Sequence, residues 1–119
     1  MMFACSDEEE AHMANVVVLM TTETKREAQK IVQHLLRQRL IACANILGPV
    51  ESRFWWREKI DNSIEFLVFM KSDGELFPQL SKTIKQLHSY EVPEILALPI
   101  AEGWTPYVEW LNSCLIKAR

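Results

Sequence analysis

A chain of 119 residues, 49% apolar and with a net charge of -3, is long enough for one domain with its own core. Its 13 basic residues are outnumbered by 16 acidic ones and form no dense run. That excludes phosphate neutralisation as a basis for nucleic-acid binding, and no basic amphipathic helix points to a membrane surface. The three cysteines, Cys5, Cys43 and Cys114, lack CxxC spacing and read neither as a disulfide framework nor as a zinc site.

Residues 1–14 are acidic and aperiodic and read as a flexible tail, or as sequence upstream of a start at Met13. They lack the basic and apolar regions of a signal peptide, so a reducing cytoplasm is the expected location. Residues 15–119 are expected to form a single domain.

The apolar run 16–20 suits a strand buried on both faces. A helix follows, because Thr24 and Glu27 have capping-box spacing and Ala28, Ile31, Val32, Leu35 and Leu36 make one apolar stripe. Residues 41–47 are a second strand, interrupted by Gly48-Pro49, where a bulge is expected. The chain then runs extended through Phe54-Trp55-Trp56, turns at Arg57-Glu58-Lys59 and returns in a third strand over 64–70.

Ser72 and Glu75 again have capping-box spacing and open a second helix, with Pro78 in its first turn and Phe77, Leu80, Ile84, Leu87 and His88 facing inward. Residues 94–100 form a fourth strand, with Pro99 at an edge. Thr105 and Pro106 start a last helix whose apolar face is Tyr107, Trp110, Leu111, Cys114 and Leu115. The order βαββαβ plus a C-terminal helix predicts an α+β, ferredoxin-like sandwich.

The third strand is apolar on both faces. Ile64, Phe66, Val68 and Met70 run along one; Glu65, Leu67, Phe69 and Lys71 run along the other. Two helices cover one sheet face only. Leaving the other in water costs about 1.5–3 kcal/mol per large side chain, so self-association is expected. The alternative is that the last helix folds over that face within the same chain.

Four blocks in this order resemble the divalent-cation tolerance (CutA) family. They are residues 16–22 (VVVLMTT), 40–46 (LIACANI), 54–60 (FWWREKI) and 88–95 (HSYEVPEI), the last followed by Leu98-Pro99-Ile100. The resemblance implies a homotrimer with sheets packed edge to edge about a threefold axis, similar to PII-type signalling proteins. It implies a role in tolerance to copper and other divalent ions, no required cofactor and no catalytic activity. Some members bind copper through a Cys at the end of the first strand and a His pair at the end of the second helix. Here those positions hold Met20, Leu87 and His88, and Ser89 replaces the usual Pro.

His88 and Met20 are therefore the candidate metal ligands, for copper or another divalent cation. The plainer readings are a helix C-terminal His on the dipole and a core methionine. Trp56, Glu65, Lys71 and Tyr90 match family positions lining the cleft between subunits, and so are the candidate small-ligand site; a network that fixes the trimer is the alternative. The partners expected are further copies of the chain and a metal ion or small ligand, with no nucleic acid and no membrane. A structural or interaction trimer, or a PII-like signalling module, is the competing function, with Trp55, Trp56 and Trp104 as the contacts. No phosphate loop, HExxH or GxSxG motif supports an enzyme.

Overall fold

The computed structural model describes residues 15–116, so the proposed tail at 1–14 lies outside it. Strand β1 (Asn15–Thr22) leads to helix α1 (Lys25–Arg37). Strands β2 (Cys43–Trp56) and β3 (Lys59–Asp73) form a hairpin. A 3-10 turn (Gly74–Leu76) opens helix α2 (Phe77–Leu87), and strand β4 (Ile95–Pro99) and helix α3 (Thr105–Cys114) follow. The sheet order is β2-β3-β1-β4, and every neighbouring pair is antiparallel. This is the α+β order that the sequence predicts, with β1 and β3 longer and β4 shorter than expected.

Strand alternation puts Val16, Val18 and Met20 of β1 and Val68 and Met70 of β3 on one face. There they meet Ala28, Ile31, Val32 and Leu35 of α1 and Leu80 and Ile84 of α2, and all of these are buried. Helix α1 begins as expected: Thr24 Oγ1 accepts the Glu27 N–H at 3.0 Å. It ends in a Schellman motif, with Leu40 N–H donating to Leu35 O and Arg39 N–H to Leu36 O. Arg39 takes the left-handed residue of that motif, at φ 58°.

Two predicted caps are corrected. Asp73, not Ser72, caps the turn before α2, its carboxylate accepting the Glu75 N–H at 2.8 Å. Ser72, next to last in β3, is buried and donates to Leu40 O at 2.7 Å. Thr105 is already helical, and α3 starts after Trp104 without a side-chain cap. In both places a neighbouring residue holds the extended backbone that a cap position needs.

The β2–β3 register shifts between Leu47 and Val50, so the bulge falls at Gly48-Pro49 as predicted. The hairpin closes in a two-residue turn at Arg57 and Glu58, with φ of 53° and 65°. That is the primed geometry matching the twist of paired strands, built here without glycine or asparagine.

The sheet face away from α1 and α2 carries Val17, Leu19, Leu67, Phe69, Leu47, Leu96 and Leu98. Helix α3 covers one end of it. Leu111 is buried there, Asn112 Oδ1 accepts from Asn15 Nδ2 at 2.8 Å, and Tyr107 Oη lies 3.5 Å from Cys43 Sγ. The rest stays open: Leu47, Leu96 and Leu98 are 46%, 52% and 50% exposed. The last helix thus hides part of this face, and only part of its own predicted apolar face is hidden, since Tyr107 and Trp110 remain partly exposed. No helix among the described residues is long and apolar enough to cross a membrane.

Candidate functional site

The predicted site residues fall into three places. The first lies where β1 ends and α2 passes into β4. His88 caps α2, its N–H bonding Ile84 O at 2.9 Å, and its ring turns inward rather than onto the helix carbonyls. Nε2–H donates to Thr21 O at 2.7 Å, and Nδ1 accepts the Tyr90 N–H at 3.1 Å. That pattern fixes the neutral tautomer with its proton on Nε2. Both ring nitrogens are therefore engaged within the chain.

Met20 is fully buried on the helix-facing side of β1. Among the described residues no group of three or more His, Cys, Asp or Glu is close enough to hold a metal ion. The pair proposed from sequence does not make a copper centre within one chain. The thioether sits in the core, and the imidazole has no lone pair left to offer.

Tyr90 extends from this corner to the opposite sheet face, where its O–H donates to Glu65 Oε2 at 2.6 Å. The His88 and Tyr90 rings are 4.7 Å apart. Glu65 is buried, and this bond satisfies a carboxylate that would otherwise be costly to hide. Burial, followed by the hydrogen bond and charge of Glu65, pushes the Tyr90 phenol well above its ordinary range.

The second place is Lys71, whose Nζ donates to Asn45 Oδ1 at 2.8 Å on the same face. Six residues of strand separate it from Glu65, about 20 Å at ~3.3 Å per residue. The third is Trp56 at the hairpin tip, with the Arg57 guanidinium 5.5 Å from its ring centre. Within one chain, then, only Tyr90 and Glu65 meet. Lys71 and Trp56 can join them in a cleft only if a second copy supplies part of it.

Sequence reasoning missed Glu27. Its carboxylate accepts the Ser89 N–H at 2.8 Å and the Ser89 hydroxyl at 3.1 Å, and lies 3.6 Å from His88 Nδ1. The Thr24–Glu27 spacing marked a helix start. The acid's reach to a loop 62 positions away had no local signal. The contact of Tyr107 with Cys43 was missed as well; that hydrogen bond pushes the Tyr107 phenol up.

Residues 16–114 match the family model described as CutA1 divalent ion tolerance protein. The chain belongs to the CutA1 family. The divalent-cation tolerance protein CutA of Thermus thermophilus is 41% identical over 96 residues, which is 81% of this chain and 93% of that protein. The solved structure of the Thermus thermophilus protein superposes with a TM-score of 0.83 at 39% identity, covering 85% of this chain and 98% of that one. CutA1 from rice, Oryza sativa, superposes with a TM-score of 0.86 at 32% identity over 89% of this chain and 97% of the solved one. The full rice protein, named as chloroplastic, is 34% identical over 99 residues, 83% of this chain, and the chain spans 56% of its length. The CutA1 likeness thus covers the sheet, the helices and the Tyr90 corner together.

Proposed function

We propose that this CutA1 family member acts in divalent-cation tolerance as a homotrimer that takes up a small ligand or a divalent ion in the cleft where its copies meet. The open sheet face carries this reading. Leu47, Leu96 and Leu98 border Leu19, Leu67 and Phe69 on a surface the chain's own helices leave in water. Hiding it in an assembly is worth about 1 kcal/mol for each half-exposed leucine. Both edge strands, β2 and β4, also offer unpaired backbone groups to a second sheet.

The cleft would be walled by the Glu65–Tyr90 pair, Lys71 and Trp56. A carboxylate, an ammonium and an aromatic ring suit a small polar ligand held by a few directed contacts. The ion, if that is the cargo, would be copper or another divalent cation held by groups from more than one copy. The sparse cysteines keep a cytoplasmic location part of the reading, and no catalytic step is assigned. A second reading, a scaffold or PII-like module that docks a protein, is favoured by Trp55 and Trp104, which are 71% and 76% exposed.

Calorimetric titration of the purified protein with Cu(II), Cu(I), Zn(II) and candidate polar metabolites tests the first reading. Saturable binding is expected from at least one, weakened tenfold or more by Glu65→Gln. Absence of saturable binding by any of them rejects the ligand cleft.

A further inference from the structure

We propose that Glu27 is a positioning residue for the Tyr90–Glu65 pair: its carboxylate holds the 88–90 loop at the height from which the Tyr90 hydroxyl reaches Glu65. The inference rests on the reading of that pair as a cleft wall. In a reciprocal capping box the acid would turn back to the Thr24 N–H. Glu27 instead sends both oxygens to Ser89, at 2.8 and 3.1 Å. Its own N–H is already held by Thr24 Oγ1.

The links run without a gap from helix to cleft. Glu27 fixes the backbone and hydroxyl of Ser89. The flanking His88 ring is pinned between Thr21 O and the Tyr90 N–H. Tyr90 packs on that ring and ends on Glu65. Lys85 also ties the loop, its Nζ donating to Glu91 O at 2.8 Å and to Tyr90 O at 3.5 Å. Charge-assisted bonds of this kind are roughly twice as strong as neutral ones; Glu27 holds Ser89 by two of them, and Lys85 holds the two residues that follow. Its place in the first turn of α1 suits the helix dipole, and its side chain is partly buried.

The chain has two tyrosines, so a Tyr107→Phe background leaves Tyr90 as the sole tyrosine. The ring signals of Tyr90 are recorded at neutral pH by NMR of tyrosine-labelled protein in that background and in E27A and E27Q, with far-UV circular dichroism confirming the fold. Both substitutions remove the same charge, but glutamine keeps one acceptor for Ser89 and alanine keeps none. E27A should move the Tyr90 signals toward those of a Glu65→Ala variant, which lacks the acceptor of the phenol, while E27Q leaves them near the parent's. Tyr90 signals in E27A that match the parent's overturn the proposal. Should E27A fail to fold, the double variant E27Q/S89A takes its place, since it removes the hydroxyl bond and weakens the backbone one. It must move the Tyr90 signals the same way, and unchanged signals overturn the proposal equally. Titration of the unsubstituted protein with Cu(II), Cu(I), Zn(II) and candidate polar metabolites judges the cleft separately: if none binds while E27A and E27Q still differ, the cleft reading falls and the Glu27 role stands.

Discussion

Glutamates placed at Leu96 and Leu98 should reduce the protein to single copies while leaving the subunit folded. Both side chains sit on edge strand β4, opposite Leu19 and Val17, on the face that α1 and α2 do not cover. Each is about half exposed in the lone chain. A charge there remains hydrated in a monomer and costs it little. In an assembly that buries this face, two carboxylates per copy would be stripped of water without partners. That penalty is several kcal/mol per buried charge, repeated in every copy. The expected result of Leu96→Glu/Leu98→Glu is a single-copy mass with a native far-UV spectrum. An unchanged oligomer would mean that β4 and its face lie outside the interface.

Gly48→Ala should destabilise the subunit by roughly 3 kcal/mol or more, from backbone strain added to overpacking. Gly48 has φ +152°, a conformation that L side chains rarely adopt. An added methyl would also lie 2.6 Å from Phe66 Cδ2 and 3.1 Å from Phe66 Cγ. The second contact is at the root of the ring, so turning the ring about χ2 does not relieve the clash. The glycine lets the chain step across the bulge between Leu47 and Val50, after which β2 pairs with β3 out to Trp56. Denaturant unfolding of the variant should show a lower midpoint, and its Tm should fall by roughly 10 °C. A loss below 1 kcal/mol would show that the bulge adapts freely.

The sequence made the layers legible wherever burial alone decides them. The run 16–20 reads as a two-faced strand because both of its faces meet apolar neighbours, one set in the helices and one on the open side. The α1 stripe is legible for the same reason. What stayed hidden depends on contacts distant in the chain or on backbone conformation. The Arg57-Glu58 turn carries no Asn-Gly signature, so its primed geometry follows from strand twist and not from residue preference. Asp73 displaces Ser72 as a cap because Ser72 is drawn to Leu40 O across the sheet end.

At the candidate site, the family likeness pointed to Tyr90 and Glu65 among the cleft positions, and the chain brings those two together. It could not show that His88 spends both ring nitrogens on its own backbone, because that depends on where the Thr21 carbonyl lands. Glu27 was hidden likewise, since helix-start acids commonly stay in water. Trp56 and Lys71 stand apart because strand rise alone separates them from Glu65.

The proposed cleft exists only where copies of this chain cover the face its own helices leave open. Multi-angle light scattering of the unsubstituted protein at micromolar concentration measures this directly. Three copies of a 13.9 kDa chain, about 42 kDa, are predicted at every concentration down to the detection limit. A stable species of 13.9 kDa would contradict it.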